Sequence, residues 1–323
     1  MQLKRATPEG TARYRERFEG RATNNHFREQ QGLVLSSIGI GTYLGDADED
    51  TDVRYANAVV RAVQLGCNVI DSAANYRFQR SERSIGQALK TLTTEHGFAR
   101  EELVICTKGG YLPFDGSPPR NMREYVNETF VKPGIASFAD IVGGMHCMTP
   151  AYLQNQLEQS LRNMSIECVD VYYIHNPESQ LGYVSQSEFY SRLKLAFERL
   201  EQNRGEGKLA YYGVATWNGF RVPANSREHH SLARMVDTAR EAGGDDHGFR
   251  FIQLPFNPAM PEGISVIEEA QRLGVTVVAS ASLLQGRIDP QTALKFIRST
   301  PGITTALIGM SRVEHVEENL RPK

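Results

Sequence analysis

Four side chains in this sequence are of types that could manage a proton at a carbonyl: Asp71, Tyr76, Lys108 and His175. Asp71 closes the strand-like run Asn68-Val69-Ile70, where a buried strand would want another apolar residue, and a phenol follows five positions later. Taken alone, a helix-capping aspartate and a loop tyrosine would account for both. A tyrosine is a poor acid near neutrality, with a reference pKa of about 10. A nearby ammonium favours the phenolate and lowers that value, which eases proton transfer to and from a reacting oxygen. Lys108 can supply the ammonium, Asp71 can keep it charged and oriented, and His175 can donate a hydrogen bond to the same oxygen. Together they would cradle a carbonyl oxygen that is becoming an alkoxide. A proton donor reduces nothing by itself, so the hydride must come from a cofactor.

The elements that must position these groups form one rhythm. Short apolar runs rich in Val, Ile and aromatics recur at 38–43, 69–73, 103–108, 170–175, 211–216, 251–256, 276–281 and 305–310. They are continuous rather than alternating, as strands buried on both faces should be. Helical patterns separate them. Asp52–Leu65 repeats apolar residues at Val59, Val60 and Val63 and stops at Gly66. Thr149-Pro150 reads as an N-cap and a first helical proline before Leu153, Leu157 and Leu161, and Ile264, Ile267, Ala270 and Leu273 form a third stripe. Eight strand–helix units predict an α/β fold, a closed (β/α)8 TIM barrel, which needs about 250 residues. The remainder is an extension over 1–31, expected to be partly disordered or laid over the surface, before a barrel over 32–323. A long insertion after the third strand, 109–148, contains a possible helix in "NMREYVNETFV".

In such a barrel the chemistry sits at the carboxyl ends of the strands. Read in order, those ends are Thr42, Asp71, Lys108, His175, Thr216, Asn257, Ser280 and Ser311. The three charged or titratable ones come from consecutive strands, so they would meet in one mouth. Other chemistries lack their residues: there is no HxH at an early strand end, no GxSxG elbow and no pair of strand-end carboxylates. "GIGTYLG" (39–45) imitates a dinucleotide fingerprint, but its third glycine is one position late and no helix starts on it. His146-Cys147 has no second pair at ligand spacing, which argues against a metal.

The chain is 323 residues long, 40% hydrophobic and 23% charged, with a formal charge of −2. That balance fits a soluble globular protein and gives no reason to expect nucleic acid or a membrane as partner. No apolar run reaches the roughly 18 residues of a membrane helix, and the first residues lack the apolar core of a signal peptide. The four cysteines (Cys67, Cys106, Cys147, Cys168) show no CxxC spacing, which suits a reducing cytoplasm.

Over roughly residues 32–320 the sequence resembles the aldo/keto reductase superfamily. The segment "GCNVIDSAANY…SERSIGQAL" is similar to the signature that carries that family's catalytic Asp and Tyr. "VICTKGG" resembles the segment bearing its Lys, and "VDVYYIHNP" the one bearing its His. The resemblance implies NAD(P)H-dependent reduction of an aldehyde or ketone, or the reverse, with Tyr76 as general acid, Lys108 and Asp71 as its tuning pair and His175 as the orienting group. It also implies a cofactor site. Gly41, Thr42 and Tyr43 would form its entry, Gln253 would meet the nicotinamide amide, and Asp71, Thr216, Ser280, Leu283 and Gln285 would line it. In "ALIGMSRVEHVEENL", Gly309, Ser311, Arg312, Glu318 and Asn319 would grip the adenosine end. Ser311 and Arg312 beside a helix start suit a 2′-phosphate, which favours NADP over NAD.

The sequence departs from the family in three places. Ala215-Thr216-Trp217 stands where many members have Ser-Asn, Ser280 where an aromatic often stacks on the nicotinamide, and no long loop follows Asn319. The 109–148 insertion is therefore expected to be the pocket wall. Arg77, Phe78 and Arg80 could line the pocket and favour an anionic or sugar-like substrate, or form a solvated loop. Two other readings remain open at this level: a cofactor-binding regulatory or structural subunit with little turnover, and a lyase using Lys108 as a Schiff-base nucleophile.

Overall fold

In the computed structural model of the chain, which describes residues 4–23 and 25–320, eight parallel strands close into a barrel. Two short strands come first, β1 (Phe27–Gln30) and β2 (Leu33–Ser36), paired antiparallel. The barrel strands are β3 (Ile38–Gly41), β4 (Val69–Asp71), β5 (Val104–Gly109), β6 (Val169–His175), β7 (Leu209–Ala215), β8 (Phe249–Pro255), β9 (Thr276–Ser280) and β10 (Ile303–Gly309). β10 pairs with β3 to complete the ring. The helices are α1 (Pro8–Glu16), α2 (Glu49–Gln64), α3 (Arg80–Glu95), α4 (Met122–Val126), α5 (Pro150–Met164), α6 (Gln186–Gly205), α7 (Leu232–Gly243), α8 (Ile264–Arg272), α9 (Pro290–Ser299) and α10 (Val313–Leu320). This is a (β/α)8 barrel.

Local chemistry sets the ends of these elements. α2 starts three residues before the expected position, because the Asp48 carboxylate accepts from Thr51 N and caps it. Gly66, with φ +99°, ends its connection as expected. Pro150 opens α5 at its first turn, and Ser165 closes it in the left-handed conformation. "NMREYVNETFV" does coil: α4 runs on into a π-helical turn over Asn127–Val131, and Val126, Phe130, Ile141 and Tyr152 give the insertion a small core of its own.

The barrel interior is packed rather than hollow. Val69, Val104, Cys106, Val171, Tyr173, Ala215, Phe251, Val278 and Leu307 fill it. The first glycine of the fingerprint-like stretch is explained here. A Cβ on Gly39 would lie 2.7 Å from Leu307, so the residue is small because a neighbouring side chain occupies its place. Leu33 and Leu35 of β2 seal the amino-terminal end of this interior core.

Of the extension expected over 1–31, residues 1–3 and 24 lie outside the described residues, as do 321–323 at the end of the barrel expected over 32–323. α1 packs Tyr14 against the barrel, its hydroxyl donating to Val63 O at 2.6 Å. β1 turns into β2 through Gln31 (φ +54°) and Gly32 (φ +75°), a two-residue turn with both φ positive. The pair "QG" just before the apolar run Leu33-Val34-Leu35 was the available signal for this hairpin, which the eight-strand pattern passes over.

Candidate active site

Strand register brings the candidate residues to one mouth. Asp71 is the last residue of β4 and lies level with Gly41 on one side and Cys106 on the other. Lys108 sits two residues further along β5, and His175 ends β6 level with Ala215, which is level with Gln253. The stagger of the barrel thus lifts each successive strand end around the rim.

At its floor, the Lys108 ammonium forms an ion pair with the Asp71 carboxylate and donates to Ser72 O at 2.8 Å. Gln253 Nε2 donates to the other Asp71 oxygen at 2.9 Å, across the barrel. Lys108 is fully buried and Asp71 nearly so. Burial alone would lower the Lys108 pKa, but the Asp71 carboxylate foremost outweighs it and holds the ammonium above its usual value. Burial pushes the Asp71 carboxyl up, and Lys108 and Gln253 pull it part of the way back.

Tyr76 lies over this pair, with the Lys108 nitrogen 5.0 Å from its ring centroid. Its ring meets His175 edge-on at 5.7 Å and Tyr43 at 5.0 Å. The expected lowering of the phenol pKa does not come out. Burial raises it, Asp71 raises it further, and the opposing pull of Lys108 is too small to bring it below 10. The phenol therefore stays protonated, which suits a donor more than a base. His175 is held far below its ordinary pKa by burial, by the Lys108 charge and by His146, so it is neutral. Its Nδ1 is buried with no partner. An orphan lone pair costs less than an orphan N–H, so the tautomer is protonated at Nε2.

The loop that delivers Tyr76 corrects the expectation for Arg77, Phe78 and Arg80. The two arginines are neither free pocket cations nor solvated, while Phe78 is half-buried with its ring 6.1 Å from Phe114 of the insertion. Arg77 is buried, donating to Asp46 O at 2.8 Å, Asp48 O at 3.2 Å and Asp52 Oδ1 at 2.5 Å, and Arg80 pairs with the same Asp52. Arg77, Phe78 and Gln79 have φ of +48°, +57° and +69°. Three consecutive left-handed L-residues cost roughly 1–2 kcal/mol each, and the Asp52 clamp offsets that cost. Glu82 anchors the start of α3 below, accepting from Thr107 Oγ1 at 2.6 Å and Asn163 Nδ2 at 2.8 Å.

The candidate cofactor residues divide by position. Thr42 is buried beside Asp71 and donates to Ser72 Oγ at 3.0 Å, while Tyr43 is exposed above it and Gly41 ends β3. Thr216 is buried just past β7, and its hydroxyl has no partner. Ser280 ends β9, followed by a left-handed bend at Ala281, Leu284 and Gln285 that carries Leu283. Gly309 ends β10, and Ser311 and Arg312 precede α10, where Arg312 is exposed and makes no ion pair among the described residues. These groups run along one arc of the mouth. The orphan Thr216 hydroxyl and the free Arg312 guanidinium fit an amide at one end and a phosphate at the other. Glu318 and Asn319 sit two turns down α10. Asn319 donates to His315 O at 2.8 Å and shares a cavity wall with Phe18 and Arg298, at the opposite end of the barrel from Tyr76. Asn257 is committed to backbone, accepting from Ala259 N in its own turn and donating to Ala281 O just past β9, both at 2.9 Å.

Two further residues stand at this mouth, Tyr111, which the sequence reading passed over, and His146, which it weighed only as a metal ligand. Tyr111, on the first turn of the insertion, meets the His175 ring edge-on at 5.2 Å. His146, near its end, reaches His175 O at 2.8 Å. Cys147, its neighbour, bonds instead to Thr149 Oγ1 at 3.4 Å. Among the described residues no three His, Cys, Asp or Glu side chains gather as metal ligands, and no helix is long and apolar enough to cross a membrane.

Comparison with known proteins bears on the fold and the family. The sequence model of the aldo/keto reductase family matches residues 37–292. A proposed voltage-gated potassium channel β subunit of Schizosaccharomyces pombe is 24% identical over 94% of this chain and 89% of its own. The NADH-specific methylglyoxal reductase of Escherichia coli is 26% identical, over 57% of this chain and 49% of its own length. Among solved structures, the aldo/keto reductase of Klebsiella pneumoniae in complex with NADP and acetate shares the fold. It superposes with a TM-score of 0.61 at 18% identity, covering 92% of this chain and 89% of its own.

Proposed function

The chain belongs to the aldo/keto reductase family, and from that premise we propose that it is an NADPH-dependent reductase of aldehydes or ketones, working in reverse as an alcohol dehydrogenase. The observation that carries this reading is the joint convergence of Asp71, Tyr76, Lys108 and His175 on one mouth. The residues from Thr216 to Arg312 would hold a nicotinamide cofactor, which when bound would supply the hydride.

Each residue then has a share of the work. Tyr76, protonated and close to Lys108, gives its proton to the carbonyl oxygen as negative charge builds there. Lys108 stabilises the phenolate left behind, and Asp71 keeps that ammonium charged and fixed. His175, neutral and protonated at Nε2, donates a hydrogen bond to the same oxygen and orients it. Gln253 braces Asp71 through its Nε2, and its side-chain oxygen would be the group left to meet the nicotinamide amide. The free Arg312 beside the α10 start favours the 2′-phosphate of NADP.

Turnover is tested by following reduced nicotinamide with a panel of carbonyl compounds. Tyr76→Phe should abolish turnover and leave NADPH affinity nearly intact; full activity in Tyr76→Phe refutes the assignment. The regulatory-subunit reading gains support from the likeness to the channel β subunit, and tight NADPH binding without turnover by the unaltered chain would favour it. The Schiff-base reading is disfavoured, because Asp71 holds Lys108 protonated and an ammonium is no nucleophile.

A further inference from the structure

His175 lacks what usually fixes a functional imidazole. Its Nδ1 makes no hydrogen bond among the described residues. Its orientation depends on two aromatic edges, Tyr76 and Tyr111, and on its own backbone. That backbone is held from the insertion. The His146 ring, 1% exposed, lies with Nε2 2.8 Å from His175 O and Nδ1 2.9 Å from Gln180 Nε2. Since Gln180 can only donate there, Nδ1 accepts and Nε2–H donates to the carbonyl. Gln180 is itself oriented by Arg192, whose Nη1 donates to its Oε1 at 2.9 Å. Burial lowers the His146 pKa to about 4, so the donor stays in this neutral form through the physiological range.

The surroundings are shaped for this contact. Gly110 has φ +140°, and a Cβ there would lie 2.9 Å from His146 Nε2 and 3.1 Å from His175 O. Any side chain at 110 would intrude on the hydrogen bond itself. Tyr111 and His146 face each other across an isolated antiparallel bridge, rings 5.1 Å apart and edge-on. The Tyr111 hydroxyl lies 3.0 Å from Ser179 Oγ and accepts from Asn176 Nδ2 at 3.3 Å. Both ends of the insertion thus close on the segment from His175 to Gln180.

We propose that His146 is a positioning residue: with Tyr111 it locks the end of β6 and thereby fixes the His175 imidazole against Tyr76, making the 109–148 insertion a support of the reaction centre as well as a wall. The inference rests on the proposed reductase reading for its kinetic consequence, but its structural content stands apart from it. Two measurements separate them. The first is steady-state kinetics of His146→Ala, His146→Gln and Gly110→Ala. A reacting group displaced by about 1 Å costs on the order of 100-fold, so kcat should fall about 10–100-fold in His146→Ala and Gly110→Ala. NADPH affinity, read by fluorescence quenching, should stay within about twofold, and His146→Gln, which keeps an N–H donor, should recover most of kcat. A merely structural role would lower thermal stability and leave kcat per folded molecule unchanged. The second is the imidazole 15N spectrum of His175. In the unaltered chain it should show the neutral Nε2–H form, and His146→Ala should shift or broaden it. An unchanged His175 signal, or kcat retained in both His146→Ala and Gly110→Ala, overturns the inference. A shifted signal with no turnover of any carbonyl by the unaltered chain upholds it and removes the reductase reading alone.

Discussion

Replacing Asp71 with asparagine should destabilise the folded chain by about 3 kcal/mol at neutral pH, and the loss should shrink as pH rises. The carboxamide of Asp71→Asn could accept from only one of Lys108 and Gln253, whose donors now occupy both carboxylate oxygens. Lys108, fully buried, would be left an ammonium without a counter-charge. Two unit charges about 4 Å apart at an effective dielectric of about 20 attract by about 4 kcal/mol, within the roughly 3–5 kcal/mol lost when a buried pair is broken. Burial holds the Asp71 carboxyl above its ordinary value, so its ionisation takes back part of this gain. That places the net loss near the lower bound. In the unaltered chain the Lys108 pKa lies above 10.5. Its contribution is complete below 10.5 and fades only as pH rises through the folded value. In Asp71→Asn the burial that opposes the ammonium is no longer offset, so Lys108 falls below 10.5. The variant is then weakest at neutral pH and recovers towards about pH 10. The assay is urea unfolding followed by far-UV circular dichroism at about pH 7 and about pH 10, with Asp71→Asn/Lys108→Met as partner. Removing both charges should restore most of the loss, because the orphan charge is the costly species. A neutral-pH loss under about 1 kcal/mol, or a double variant no better than the single, would refute the reasoning.

Four further outcomes follow from the same geometry. Carbonyl reduction, as log kcat/KM, should be flat between about pH 6 and 9, since Tyr76 titrates above 10 and His175 far below 6.5; a step near pH 6.5 would show that His175 protonates within the working range. Tyr76→Phe should lower kcat by at least the roughly 10²–10⁴-fold typical of a lost acid, with thermal stability within a few degrees of the unaltered chain. Arg312→Leu should weaken NADPH about 10–100-fold and leave NADH unchanged, as the loss of a charged hydrogen bond predicts; equal losses for both coenzymes would place the 2′-phosphate elsewhere. Asp52→Asn should free Arg77 and Arg80 and lower kcat through the Tyr76 loop, without a selective rise in KM for anionic substrates.

The sequence carried the barrel well because its strands are buried on both faces, and such strands are written as continuous apolar runs that no surface constraint disturbs. A residue breaking such a run stands out, which is why Asp71, Lys108 and His175 were visible at their strand ends. Other features had no such background. Tyr111 and His146 lie far apart in a segment without periodicity, and Gly110 means something only once the His146 ring is known to lie against it. The β1–β2 hairpin hid because four-residue strands give too short a pattern to compete with the polar segment around them. Asn319 follows the C-terminal pattern in sequence, yet α10 runs away from the mouth and carries it to the other end of the barrel.

Phenol acidity shows why residue types alone mislead on electrostatics. Seeing Lys108 near Tyr76 suggests a lowered pKa, because Coulomb attraction to a phenolate is the one term that spacing reveals. Burial is the term it does not reveal, and here burial is larger. The two arginines after Tyr76 mislead in the same way. Their charge suggests an anionic substrate until Asp52, well upstream in the chain, is found to hold both. What they do instead is sustain three left-handed residues whose only evident purpose is to turn the chain so that Tyr76 stands over Lys108. With both guanidinium groups spent on that turn, neither is free to meet a substrate, and Lys108, over which Tyr76 stands, is neutralised by Asp71. The rings that meet Tyr76 are those of Tyr43 and His175, with Tyr111 against His175 in turn, and all three are uncharged walls. Uncharged carbonyl compounds should accordingly be reduced faster than carboxylated ones of equal size, and a panel in which the carboxylated members win would mean that Arg77 or Arg80 leaves Asp52 when substrate binds.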